Sequence, residues 1–263
     1  LGLDATPAVL DLKAAAKRVA QVAKQYGIPI DPESRVANLS VGEQQRVEIL
    51  NSLYREANVL ILDEPTAVLT PQEAEELAVT LRGMAAQGKA VVFISHKLDE
   101  VMRVTDRVTV LRQGRKVFES VTADTNKSEL AREMIGHKLE EFKREQTTFV
   151  MALAGVGDEL IVPSHHATAA KTARPILTVH NLQVNDDRDL RACHEISFEI
   201  VAGEILGVAG VDGNGQRELI EAITGQRPAL AGEITINGED SVRWSPRQVI
   251  DHNIAVITDD RQG

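Results

Sequence analysis

The sequence predicts an α/β fold in layers around a parallel sheet, and three observations carry that expectation: short runs that are apolar throughout, capped helical patterns between them, and their strand–helix–strand order. Leu10 to Tyr26 sets Ala, Lys and apolar residues at helical spacing, and Gly27, Pro29 and Pro32 end it. Ser40 and Glu43 have capping-box spacing, and Val47, Leu50 and Tyr54 then recur at three- and four-residue steps, so a second helix begins at Ser40. Val59–Leu62 is apolar at every position, as a strand covered on both faces must be. Thr70-Pro71-Gln72-Glu73 is another capping box with Pro at the first helical position, and Leu77, Leu81 and Met84 form the buried stripe of a helix that ends at Gly88. Ala90–Ser95 is again strand-like, and Arg107–Leu111 and Lys116–Ser120 flank Gln113-Gly114 as a hairpin. The pattern dissolves into small and polar residues from His137 to Arg174, with five basic residues balanced by five acidic ones. It returns in strands over Ile176–Val179, Ile196–Ile200 and Glu204–Ala209.

Composition narrows the function classes. The 263 residues are 43% hydrophobic, enough for one large core or two modest ones. No apolar run approaches the roughly 18 to 20 residues of a membrane span, so membrane association is expected to go through a partner. A net charge of −10 repels phosphate backbones and argues against nucleic acid as the main partner. The single cysteine, Cys193, forms no internal disulfide, which fits a reducing compartment and argues against a cysteine-based zinc site. Leu1 replaces an initiator Met and Gly263 stops in mid-phrase, so both ends are expected to be cuts in a longer protein.

Three motifs follow one another in the first part of the chain. Leu39-Ser40-Val41-Gly42-Glu43-Gln44-Gln45-Arg46 comes first, Leu60-Ile61-Leu62-Asp63-Glu64-Pro65-Thr66 follows, and His96 closes the series. Singly, each has an ordinary structural explanation: a capped helix, a buried strand ending in acids, a histidine at a strand end. Together they resemble the signature, Walker B and switch-histidine series of ATP-binding-cassette (ABC) ATPases. The resemblance implies that Asp63 holds Mg²⁺ through water and that Glu64 acts as general base on the attacking water while His96 senses the γ-phosphate of ATP. It also implies that Ser40, Gly42 and Glu43 open a helix whose N-terminus receives that phosphate. Val41 and Glu43 depart from the commonest signature, and Thr70 stands where the family's D-loop usually ends in Asp.

A second stretch resembles the start of another cassette. Gly210-Val211-Asp212-Gly213-Asn214-Gly215-Gln216-Arg217 follows a strand and precedes a helix at Glu218–Thr224, as a Walker A loop does. Gly210, Gly213 and Gly215 would let backbone N–H groups curl around phosphates, with Asn214 between them. Gln216 replaces the expected Lys, and Arg217 replaces the Ser or Thr that holds Mg²⁺. Such a loop is expected to hydrolyse ATP poorly.

The resemblance thus implies incomplete P-loop NTPase cassettes, with a parallel-sheet core and a helical subdomain at about residues 1–50. Residues 1–136 form the end of a first cassette, 137–175 a linker, and 176–263 the opening of a second with a degenerate Walker A. Cassettes of this family pair head to tail, so Asp63, Glu64 and His96 are expected to serve one site and Ser40 and Gly42 another. The first Walker A would then lie outside this chain, which alone would be inactive. The nearest group is the tandem ATPases of importers for nucleosides and simple sugars. That implies ATP and Mg²⁺ as cofactors, transmembrane permease subunits as partners, a solute-binding protein acting indirectly, and a peripheral position on the cytoplasmic face of the membrane. The alternatives are a soluble tandem ATPase acting on ribosomes or nucleic acid, disfavoured by the balanced linker and the altered loop, and an inactive nucleotide-binding module. His165 and His166 read as solvated linker residues, Asp186, Asp187 and Asp189 as a loop, and Trp244 as a packing residue.

Overall fold

The computed structural model describes residues 12–36, 39–136, 174–211 and 213–257. In chain order the first part gives α1 (Leu12–Tyr26), α2 (Val41–Tyr54), β1 (Val59–Asp63), α3 (Pro71–Ala86), β2 (Ala90–Ser95), α4 (Leu98–Val104), β3 (Arg107–Arg112), β4 (Arg115–Val121) and α5 (Lys127–Ile135). The second part gives β5 (Pro175–Asn185), β6 (Arg191–Val201), β7 (Ile205–Ala209), α6 (Gln216–Ile223), β8 (Ala231–Ile236), β9 (Glu239–Asp240), α7 (Pro246–Asp251) and β10 (Ile254–Ile257). Both expected capping boxes form: the Ser40 and Thr70 hydroxyls accept from the N–H groups of Glu43 and Glu73, whose carboxylates accept in return. The hairpin turns at Gln113 and Gly114, both with positive φ, the geometry that matches the right-handed twist of the flanking strands.

The central sheet runs β10-β1-β2-β7-β3-β4. Its first five strands are parallel and β4 returns antiparallel to β3. A second, antiparallel sheet runs β6-β5-β8-β9. Alternation along β1 divides the core between the two faces. Val59 and Ile61 face α6 and the antiparallel sheet, whereas Leu60 and Leu62 face α1, α2 and α3. All four side chains are fully buried, each contributing about 1.5–3 kcal/mol, which is why this strand reads as an unbroken apolar run. A third cluster packs α4 and α5 on β3.

The two stretches expected to belong to separate cassettes share this sheet. β7 enters between β2 and β3, and β10 covers the outer edge of β1. Without β7, the facing edges of β2 and β3 would present unpaired backbone groups inside a core, which is strongly unfavourable. Side chains reinforce the insertion. Asp106 accepts from Arg82 at 2.6 Å and from the Ile205 N–H at 2.9 Å, and Arg107 pairs with the buried Glu204 at 2.8 Å. Burial pulls the Arg107 pKa down, but Glu204 and Glu119 more than offset this and leave it raised.

Candidate functional site

Parallel α/β sheets place ligands at the carboxyl ends of their strands, and here β1, β2 and β7 end side by side. Asp63 is paired with Ile94 and Ser95 with Ala209, so the residues that follow, Glu64, His96 and Gly210, emerge at one rim of the sheet. The loop at Gly210–Arg217 therefore stands next to the His96 strand. The loop is expected from sequence in a second cassette, and this neighbourhood is not anticipated there. The cause is the insertion of β7 beside β2, which no local pattern announces.

Glu64 is the best-defined group at the rim. Its backbone is left-handed at φ 42°, an arrangement that costs a side-chain-bearing residue of order 1 kcal/mol and is held by its N–H bond to the Ile94 carbonyl. One carboxylate oxygen accepts from the His96 backbone N–H at 2.9 Å and lies 2.8 Å from His96 Nδ1. Because an ionised carboxylate only accepts, this contact calls for the tautomer with the proton on Nδ1. Asp63, half-buried, sits one residue earlier at the strand end.

Sequence reasoning missed what lies behind Glu64. The Ser95 hydroxyl stands 3.5 Å from both the Glu64 and the Glu100 carboxylates, and it accepts from the Lys97 N–H at 3.1 Å. Glu100 in turn takes the Thr66 hydroxyl, and the Lys97 ammonium reaches the Thr66 carbonyl at 3.0 Å. A cavity of about 320 Å³ opens beside this network, lined among others by Thr66, Leu69, Phe93, Lys97, Glu100 and Arg103. Ser95 is legible as the neighbour of His96. Glu100 joins through α4, and only the fold brings it there.

The signature residues lie apart from this network. The Ser40 hydroxyl and the Glu43 N–H satisfy each other within α2. A Cβ on Gly42 would fall 2.3 Å from a Glu73 carboxylate oxygen, so the Glu73 side chain lies directly against this glycine. Glu73 is held there by Thr70, whose backbone N–H and hydroxyl, with Arg46 nearby, keep its carboxyl below the usual carboxylate range. The helix end expected to receive a phosphate thus lies against a carboxylate of its own chain.

The loop is filled as well. Gln216 is only 9% exposed; its carboxamide oxygen accepts from the Asn214 N–H and its nitrogen donates to the Val211 carbonyl, both at 3.1 Å. A Cβ on Gly210 would fall 2.4 Å from that nitrogen. Asn214 also donates to Val211 at 2.6 Å, and its side-chain and backbone oxygens accept from the N–H groups of Gln113 and Gly114 in the hairpin at 2.6 and 3.1 Å. Arg217 is largely exposed and pairs with Glu221 at 2.8 Å, one turn along α6. Gly215 and Gly213 take positive φ as glycines do. Below the loop the buried Cys193 thiol, pushed up to about 12 by burial first and by Glu218 second, lies 3.3 Å from the Gly215 carbonyl.

Trp244 packs as expected, with its ring 3.9 Å from that of His252, and Asp186 closes the turn between β5 and β6 by accepting from the Arg188 and Leu190 N–H groups. His165, His166, Asp212, Asp259 and Asp260 lie outside the described residues. Among the described residues, no group of three or more His, Cys, Asp or Glu side chains is arranged to hold a metal, and no helix is long and apolar enough to cross a membrane.

A mixed sheet with helices on both faces, acids at the end of its buried strand β1 and a glycine-rich strand-to-helix loop defines a P-loop NTPase fold of the ABC type. The family model described as "ABC transporter" matches residues 3–67 and 193–262, and the chain belongs to that family. Three curated relatives are a glucose import ATP-binding protein of Haloferax volcanii, 40% identical over 96% of this chain, a nucleoside import ATP-binding protein of Lactococcus lactis, 36% over 99%, and a guanosine import ATP-binding protein of Bacillus subtilis, 40% over 96%. The chain spans 42%, 47% and 45% of their respective lengths. Among solved structures, cbiO1 from Clostridium perfringens, part of the transporter complex cbiONQ, aligns with a TM-score of 0.41 at 29% identity, covering 51% of this chain and 54% of that one.

The family implies ATP and Mg²⁺, and the two halves of the rim fit them differently. Mg²⁺ keeps most of its waters and needs one or two protein carboxylates, and Asp63, half-buried at the end of β1, is the residue that would hold it through water. The loop fits a phosphate poorly at Asn214, whose amide already donates to the Gln216 side chain, and it lacks the lysine that would meet the charge.

Proposed function

We propose that this chain is part of the ATPase that energises an importer for nucleosides or simple sugars. In this reading the longer protein lies peripherally on the cytoplasmic face of the membrane, docked on permease subunits that receive solute from a binding protein. The relatives named for glucose, nucleoside and guanosine import support that solute range. In the longer protein residues 1–136 would supply the end of a first cassette, 137–175 a linker and 176–263 the opening of a second, a division that the shared sheet of this chain, with β7 between β2 and β3, does not display. Cassette pairing would bring Ser40, Gly42 and Glu43 to the γ-phosphate of another site once Glu73 withdraws.

The observation that carries the proposal is the Glu64–His96 pair at the rim, joined at 2.8 and 2.9 Å. Bound Mg²⁺ would polarise the phosphate, and Asp63 would hold it through water. Glu64 orients a water and takes its proton. His96 fixes the carboxylate through both its backbone and its ring, so that Glu64 cannot swing away. The test is made on a protein extended at both ends to the length of its relatives and reconstituted with its permease in vesicles. ATP-driven uptake of a nucleoside or a simple sugar is expected, and Glu64→Gln is expected to lower ATP hydrolysis by about 100-fold or more. Hydrolysis unchanged by Glu64→Gln would overturn the proposal.

A further inference from the structure

We infer that Gln216 closes the glycine-rich loop to phosphate, because its own carboxamide occupies the hollow where an anion would sit. The inference deepens the proposed function, since it rests on reading Gly210–Arg217 as a relative of a phosphate loop. Such a loop binds anions because successive backbone N–H groups converge on a space left open by glycines. Here the Asn214 N–H points at the Gln216 carboxamide oxygen at 3.1 Å, and the other end of the same amide reaches the Val211 carbonyl at 3.1 Å. One side chain therefore spans the loop and satisfies a donor and an acceptor.

The neighbours are built around that amide. Gly210 has to lack a Cβ because the Gln216 nitrogen would lie 2.4 Å from it, and the Leu111 carbonyl 2.8 Å. Asn214 braces the loop from outside by binding Val211 and both residues of the hairpin turn, and the Gly114 carbonyl accepts from the His194 N–H at 2.5 Å. The loop, the β3–β4 turn and β6 form a joint in which Asn214, Gln216, Val211 and the two turn residues satisfy one another. A lysine in place of Gln216 would change two things at once, since it removes the filling and adds a cation. A substitution that removes the filling alone separates the two.

The experiment titrates inorganic triphosphate into the intact chain, with binding followed by calorimetry and the Asn214 backbone amide by ¹⁵N NMR. In the wild type, the Asn214 amide is expected to stay in place at millimolar triphosphate. In Gln216→Ala, which adds no charge, the amide is released and triphosphate binds about fivefold tighter, the worth of one hydrogen bond no longer displaced. Gln216→Lys should tighten binding by about a further tenfold through charge-assisted contacts.

An Asn214 amide that shifts in the wild type with the affinity seen in Gln216→Ala would overturn the inference. So would a gain in Gln216→Lys alone, since that would make the missing cation the whole cause. Should Gln216→Ala fail to fold, the wild-type Asn214 titration decides by itself. None of these readouts is hydrolysis: a wild-type loop that takes triphosphate sinks this inference and spares the importer reading. An extended protein that does not hydrolyse ATP does the reverse.

Discussion

Two neighbouring regions of one sheet rim have spent their polar groups in opposite ways. After β1 and β2, Glu64 and His96 hold each other, with Ser95, Thr66, Lys97 and Glu100 behind them, so the acidic side chains are oriented but remain near a rim where a ligand can arrive. After β7, Asn214 and Gln216 turn inward and satisfy the loop from within. The difference shows that glycine spacing alone does not make an anion site. What decides is whether the converging donors still lack an acceptor, and at Asn214 one side chain supplies it.

The largest effect expected from disturbing this comparison is the loss of hydrolysis in Glu64→Gln, which concerns the first region alone. The next concerns the joint that sets the two regions side by side. Glu204 is buried, pairs with Arg107 and accepts from the Val201 N–H at 3.0 Å. Glu204→Ala leaves both donors without it, and since Arg107 keeps Glu119, a loss of about 2 kcal/mol in unfolding free energy is expected by urea denaturation. No loss of stability would mean that this ion pair does not hold β7 in the sheet.

A smaller effect reads the second region through Cys193. Its thiol, pushed up to about 12 beneath the loop, should resist a small thiol reagent at pH 8 while the chain is folded and react once it unfolds. The sign of the pH dependence follows from the raised pKa. Between the unfolded value near 9.0 and about 12 the native chain keeps a proton that the unfolded chain has lost, so stability falls as pH rises through that window. Reaction of the folded chain at the unfolded rate would show that the loop and β6 open readily.

Much of this molecule is legible in its sequence. The capping boxes at Ser40 and Thr70, the apolar strands at Val59–Leu62 and Ala90–Ser95 and the Gln113-Gly114 turn all depend on residues close together in the chain, where spacing carries the information. The entry of β7 between β2 and β3 was not legible. Parallel pairing of distant strands leaves no local mark, and an apolar strand such as Ile205–Ala209 suits any interior slot. At the rim, Asp63, Glu64 and His96 stood out by type and order, but Glu100 arrives by the packing of α4. Gln216 was legible as a missing lysine and not as a filling side chain, because that depends on where its amide turns. Ser40 and Gly42 were legible as a helix N-terminus, but the Glu73 carboxylate that lies beside Gly42 was not, because it comes from the next helix.

The most direct test of the contrast is the tautomer of His96 in the intact chain, read from its ring ¹⁵N shifts near neutral pH. With Glu64 accepting at 2.8 Å, the proton is predicted to sit on Nδ1 and to exchange slowly with water. A ring protonated on Nε2, or an even mixture exchanging freely, would contradict the account, because Glu64 would then have no fixed partner and the rim no oriented base.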